Sequence, residues 1–307
     1  METASDKFQI IHNIMNTPGN VLLIDELCKT AGVSRSGYYN WINSKETRHA
    51  KELQDQNDFE LILEAFKYRG YDKGIRGIHM RLLHMDPPIH MNVKKIQRLM
   101  RKYGLLCPIR KANPYRRMAK SLKTNNYSEN LVQREFREHG ARKILLTDIT
   151  YLPYNGTFAY LSTILDAFTK QVLSYVLSDS LKIDFVLLTV EQLVNEHGIS
   201  LTTETILHSD QGVHYTSYKF IEIVNDADLR QSMSRRGNCW DNAPQESFFG
   251  HMKDEIDITK CTSFEDVKVI IDDWIDYYNN ERYQWQLAKL SPNEYYYYIT
   301  TGIYPIK

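Results

Sequence analysis

The sequence predicts an α/β fold: a mixed five-stranded sheet with flanking helices, preceded by small all-α helix-turn-helix units. Three observations lead there. From Arg142 onward, runs rich in apolar and β-branched residues are separated by turn residues and then alternate with stretches of helical apolar spacing. Before residue 108 two stretches, Phe8 to Ile42 and Leu61 to Tyr103, read as small helical units. Between the two regions, Pro108 to Lys123 is strongly basic and interrupted by Asn, Pro and Ser, which suits an extended linker.

In chain order, Phe8 to Ile42 form a first helical unit. Val21 to Cys28 lead into the turn Ala31-Gly32-Val33, and Ser34 caps a second helix from Gly37 to Ile42. A packing αα-hairpin and a nucleic-acid-reading helix-turn-helix both fit this outline. Ser44 to Asn57 is polar and reads as a solvated helical linker. A second helical unit follows, with Leu61, Ile62, Ala65 and Phe66 on one face, a turn at Gly70–Gly74, a helix from Ile75 to Met85, and a helix from Val93 to Tyr103 capped by Asn92. In that last helix Ile96, Leu99 and Met100 point inward, leaving Lys94, Lys95, Arg98, Arg101 and Lys102 outward, where they suit phosphates. A solvated basic face is the competing reading. The linker adds Arg110, Lys111, Arg116 and Arg117. His79, His84, His90 and Cys107 lie nearby, but their spacing matches no zinc pattern.

Strands are expected at 143–153, 157–165, 171–177, 205–208 and 231–234. The first two are joined by Asn155-Gly156, a strong hairpin signal. Helices are expected at 183–197, from Thr216 or Ser217 to Val224, from Asn242 onward, and at 264–280. The order β-β-β-α-β-α-β-α implies a mixed sheet covered on both faces. The tail Ser291 to Tyr298 is aromatic and reads as a cap packed on the domain before it.

The totals set bounds. The 307 residues suffice for two or three domains, and 42% hydrophobic and 25% charged residues are ordinary globular values. A net charge of zero argues against a simple basic nucleic-acid coat, although cations cluster in the N-terminal half. Four scattered cysteines with no C-x-x-C pair argue against a disulfide framework and for a reducing cytosol. No signal-peptide core or membrane-spanning run is present, so a cytoplasmic, nucleoid-associated protein is expected.

Three acids carry the chemistry. Asp148 lies within a strand among apolar neighbours, where a lone charge is costly unless paired or metal-bound. Asp210 ends the apolar run Ile206-Leu207-His208-Ser209 before a Gly turn. Glu246 falls in the first turn of a helix that Asn242 should cap, with Gln245 completing a capping box and Pro244 fitting the first turn. Two acids at strands and one at a helix start can converge on a hard divalent cation. The helix dipole alone would also favour an acid at Glu246.

The segments Thr147-Asp148-Ile149-Thr150-Tyr151, His208-Ser209-Asp210-Gln211-Gly212 and Asn242-Ala243-Pro244-Gln245-Glu246-Ser247-Phe248-Phe249, in that order, resemble the DDE transposases related to retroviral integrases. Thirty-five residues separate Asp210 from Glu246, the spacing of that superfamily. Gly237 to Asn242, Tyr278-Asn279-Asn280-Glu281-Arg282, Leu290-Ser291-Pro292 and Ile96 to Leu105 are similar to the insertion-sequence family typified by insertion sequence three. The resemblance covers most of the chain from about Phe59.

It implies an RNase H-like integrase core at 142–260. Around that core the reading places a helical unit with linker at 1–57, a second helical DNA-binding unit at 58–107, a basic linker at 108–141 and a helical, aromatic extension at 261–307. It also implies two Mg²⁺ ions on Asp148, Asp210 and Glu246, with Mn²⁺ expected to substitute, and cleavage and strand transfer of transposon ends. Lys253, seven residues after Glu246, shares its helix face and is expected at the DNA end. Arg235, Arg236 and Asn238 are expected in the same groove. The expected partners are double-stranded DNA (terminal repeats and target), a second copy on DNA, and an upstream-reading-frame partner or fusion. The alternatives are a DNA-binding regulator with a non-functional catalytic domain and a simple RNase H-like nuclease.

Overall fold

The computed structural model describes residues 3–70, 73–107, 131–132, 139–234 and 242–306. The expected contacts Arg110, Lys111, Arg116, Arg117, Arg235, Arg236 and Asn238 lie outside these residues. The chain divides into two compact units, Met1–Ala65 with Lys94–Leu106, and Phe66–Val93 with Cys107–Lys307.

The first unit begins with α1 (Ala4–Met15), α2 (Ile24–Ala31) and α3 (Arg35–Asn43). Gly32 closes α2 in the left-handed conformation (φ 65°), where a side chain would be strained. Ser34 then caps α3, its Oγ accepting from Gly37 N at 3.1 Å. Ile11, Cys28 and Tyr38 form the small core of this trio. The polar stretch after it is not a separate linker. It belongs to one helix, α4 (Lys45–Lys67), which runs unbroken through the expected division at 57/58.

The basic helix α6 (Val93–Lys102) lies against α4, with Ile96, Leu99 and Met100 buried as its spacing requires. Its cations face outward as expected, Lys94, Arg98, Arg101 and Lys102 being exposed, but three of the five pair with acids of α4. Arg98 forms a two-pronged pair with Asp55, both N–H···O distances 2.7 Å. Lys102 reaches Glu52 and Asp55 at 2.6 and 2.8 Å, and Lys95 reaches Asp58 at 2.5 Å. A carboxylate such as Asp55, largely covered by the interface, is stable there because cations neutralise it. Lys94 and Arg101 are exposed.

The second unit holds a five-stranded sheet of β1 (Ile144–Tyr154), β2 (Thr157–Asp166), β3 (Val172–Ser178), β4 (Ile206–Ser209) and β5 (Arg230–Met233), in the order β3-β2-β1-β4-β5. The first three strands are antiparallel; β4 pairs parallel with β1, and β5 parallel with β4. Asn155 and Gly156 make the expected two-residue turn, both with positive φ (40° and 73°). The parallel pairings need crossovers, supplied by α7 (Asp184–His197) and α8 (Tyr218–Asp226).

The sheet is apolar on both faces. Leu161, Leu165 and Leu152 pack against Phe248, Phe249 and Met252 of α9 (Ala243–Glu255) and Val267, Ile271 and Trp274 of α10 (Phe264–Asn280). Leu145, Ile164, Leu173 and Leu207 pack against Phe185, Val190, Phe220 and Val224 of α7 and α8. This is the mixed, doubly covered sheet that the sequence predicts. α5 (Ile75–Leu83) belongs to this unit, where His84 stacks on Tyr283 with ring centroids 3.5 Å apart and its Nε2 lies 3.2 Å from Glu294. The aromatic tail is α11 (Pro292–Thr301). Its Tyr295 stacks on Phe168, and its Tyr296 lies under the Arg142 guanidinium, 4.2 Å from the ring centroid. These contacts match the expected cap.

Candidate active site

Two of the three acids stand on neighbouring parallel strands, Asp148 midway along β1 and Asp210 just past the carboxyl end of β4, the end at which open α/β sheets bind their ligands. β1 and β4 pair with Leu146 opposite His208. Continuing that register by two residues brings Asp148 alongside Asp210, just past the end of β4. Glu246 stands in the first turn of α9. Asp148 feels the other groups directly. Burial first, then the negative charges of Asp210 and Glu246, push its carboxyl up to about 7, while the Ile149 N–H and the Lys253 ammonium act the other way. Lys253 carries the complementary signature: burial around its ammonium lowers its pKa, and Asp148 raises it.

Local structure fixes each acid. Asp148 Oδ1 accepts from Ile149 N at 2.8 Å. Asp210 Oδ1 accepts from Gly212 N at 2.8 Å, a turn that holds the carboxylate at the strand end. A Cβ on Gly212 would stand 2.9 Å from that same oxygen, so the close approach requires glycine. His208 is wholly buried, with Nδ1 2.9 Å from Ser232 Oγ and Nε2 3.0 Å from Ser234 Oγ. It ties β4 to β5.

The start of α9 departs from expectation. Ala243 opens the helix with Pro244 in its first turn, but Asn242 makes no side-chain cap and Gln245 does not close a capping box. Gln245 is fully buried and instead donates Nε2–H to Thr163 Oγ1 on β2. Thr163 is the residue directly opposite Asp148 in the β1–β2 register. Sequence reasoning missed this link because it depends on which residues of β1 and β2 face each other. It also missed Tyr215, buried at 2% exposure, whose phenol is pushed well above its usual range by burial and by the charge of Asp148.

Three carboxylates offer the all-oxygen donor set that suits a hard divalent cation, and their mutual repulsion is what such a cation relieves. In their present rotamers, no group of three His, Cys, Asp or Glu side chains among the described residues is close enough to hold a metal ion. A cavity of about 580 Å³ along β3, lined by Tyr175, Glu196, His197 and Asp272 among others, includes none of the three acids.

A β3-β2-β1-β4-β5 sheet with one acid inside β1, one just past β4 and one in the first turn of α9 is the arrangement of an RNase H-like polynucleotidyl transferase. Comparison with known proteins agrees. Models described as an integrase core domain match residues 138–239 and 227–292, and an HTH-like domain matches 52–113. The chain is 30% identical over 277 residues to the putative transposase InsK of insertion sequence element IS150 from Escherichia coli, covering 89% of this chain and 93% of that one. It is 35% identical over 211 residues to an uncharacterized transposase-like protein of Haemophilus influenzae, covering 67% and 94%. It is 27% identical to the transposase InsF of insertion sequence IS3A from Escherichia coli, covering 89% and 93%. Among solved structures, the HTLV-2 integrase catalytic core domain in complex with magnesium aligns at TM-score 0.39 and 14% identity, over 51% of this chain and 97% of that one. The Mos1 mariner transposase catalytic domain aligns at TM-score 0.36 and 14% identity, over 44% and 70%. The chain belongs to the insertion sequence three (IS3) family of DDE transposases.

Proposed function

We propose that this transposase binds the ends of its insertion sequence, cuts a DNA strand there and joins the freed end to a second duplex. One observation supports the reading: Asp148 lies close enough to Asp210 and Glu246 for both negative charges to raise its carboxyl. The site takes a divalent metal. Asp148, Asp210 and Glu246 would hold two Mg²⁺ ions, or Mn²⁺ in their place. When bound, two such ions stabilise the attacking and leaving oxygens of an in-line displacement at phosphorus.

The chain's own groups supply the rest. Lys253 binds a phosphate of the DNA end beside the acids, and Arg235, Arg236 and Asn238 are further DNA contacts. Lys94 and Arg101 of α6, with Arg110, Lys111, Arg116 and Arg117, hold DNA outside the cleaved bond. Water cuts the first strand, and the 3′-OH it frees attacks the second phosphodiester, so no covalent protein–DNA intermediate forms. Joining needs both ends together, so at least two copies act on DNA in the cytoplasm, and an upstream-frame product is a further candidate partner. No helix among the described residues is long and apolar enough to cross a membrane.

The test is incubation of the full chain with labelled insertion-sequence-end DNA and Mg²⁺. Joined products support the transposase. Cleavage without joining favours a simple nuclease, and binding without chemistry a regulator.

A further inference from the structure

Several arginines of the second unit pair with carboxylates, whereas the cations around Trp285 do not among the described residues. Trp285 is 41% exposed, on the loop between α10 and α11. The Arg76 guanidinium lies 5.2 Å from its ring centroid and the Lys289 ammonium 5.4 Å. The His79 ring is 5.9 Å away. Arg69, Arg142 and Arg282, in the same unit, each contact an Asp or Glu at 2.8–2.9 Å. Neither Arg76 nor Lys289 has a carboxylate partner among the described residues. The loop holds this arrangement at some cost: Ala288 and Lys289 are consecutive non-glycine residues with positive φ (54° and 68°). Two backbone N–H groups, of Leu287 and Lys289, close that loop on the Gln284 carbonyl at 3.0 and 3.1 Å.

An indole attracts a cation over its face, so Trp285 holds two positive charges together that would otherwise repel. Both lie within 5.4 Å of one centroid, so they stand at most about 11 Å apart. A DNA strand presents a phosphate about every 3.4 Å of helix rise, so that span matches phosphates two or three apart on one strand. An exposed arginine and a half-exposed lysine without a carboxylate partner among the described residues, held on one aromatic platform, suit a polyanion.

We propose that Arg76, Trp285 and Lys289 form a DNA-backbone clamp separate from the acidic centre, with the indole positioning both cations against phosphates of one strand. The inference rests on the transposase reading, and it adds a contact that the acids and Lys253 do not provide.

The test measures binding of the full chain to a fluorescein-labelled duplex of arbitrary sequence, by anisotropy, between about 50 and 200 mM salt. Each lost phosphate contact lowers the slope of log K against log salt by about 0.9, so R76Q/K289Q should lower it by nearly 2. W285A should lower it by part of that amount, and W285F should restore it. All these positions are at or near the surface, and an unchanged melting temperature confirms folding. An unchanged slope in folded R76Q/K289Q, with duplex still bound, overturns the clamp and leaves the transposase reading standing. In contrast, loss of all joining by the unsubstituted chain, with the slope change in R76Q/K289Q intact, overturns the transposase reading and not the clamp. Failure of the unsubstituted chain to bind any duplex overturns both.

Discussion

Gln245 donates a hydrogen bond from Nε2 to Thr163 Oγ1, and Thr163 faces Asp148 across the β1–β2 ladder. The neighbour of one active-site acid is thereby fastened to the cross-strand partner of another. The bond adds a polar tie to the apolar packing of Phe248, Phe249 and Met252 that seats α9, and with it Glu246, on the sheet. Removing the amide in Q245A should lower strand transfer by about 10–100-fold, the usual effect of losing a partner that orients a ligand residue. Duplex binding should stay within about twofold. T163V should act alike, and the double variant should be little worse than either alone, because both break one contact. Fully additive losses in single-turnover assays would show that the two act separately.

Gly212 sets the direction of the second acid. In G212A the new methyl would meet Asp210 Oδ1 at 2.9 Å, and either the carboxylate or the turn must yield. Joining activity should fall steeply while the melting temperature changes little, since the residue is on a surface turn. Wild-type activity in purified G212A would mean that Asp210 does not need this turn.

The Arg142–Asp166 pair should carry stability rather than activity. Asp166 is fully buried and accepts from Arg142 Nη1 at 2.8 Å, from Arg142 N at 2.9 Å, from Phe168 N at 2.8 Å and from Thr169 N at 3.1 Å. Removing one partner leaves a buried charge uncompensated, so R142A should cost about 3–5 kcal/mol. Denaturant unfolding followed by tryptophan fluorescence measures it, and a loss below about 1 kcal/mol would show that the site relaxes or hydrates.

Asp55 gives the helical unit an acid dependence. Its hydrogen bonds to Arg98 and then Lys102 hold its carboxyl well below the usual range. A depressed carboxyl stabilises the fold above its unfolded pKa of about 3.9 and loses that contribution as pH falls toward the folded value. The α4–α6 contact should therefore loosen below about pH 4, and D55N should be less stable at neutral pH and flatter across that acid range. Amide exchange in α6 as a function of pH reports it. Equal acid sensitivity in D55N would assign the transition to other carboxylates.

Much of this was legible in the sequence because it depends on local pattern. The Asn155-Gly156 turn, the five strands and the helices of the second unit follow from period, turn residues and caps. The acids stood out as one charge inside an apolar strand, one at a strand end and one at a helix start. What stayed hidden depends on pairing over long distances. Arg98 and Lys102 looked like DNA contacts because their carboxylate partners, Glu52 and Asp55, lie more than 40 residues earlier. Gln245 looked like half of a capping box because its partner Thr163 lies 82 residues away. Nothing in a helical pattern separates a free cation from a paired one.

The most direct test of the convergence of Asp148, Asp210 and Glu246 is anomalous diffraction from crystals soaked in Mn²⁺. Anomalous density among those three carboxylates, lost in E246Q, is the expected result. Mn²⁺ bound elsewhere, with the three side chains directed apart, would contradict it.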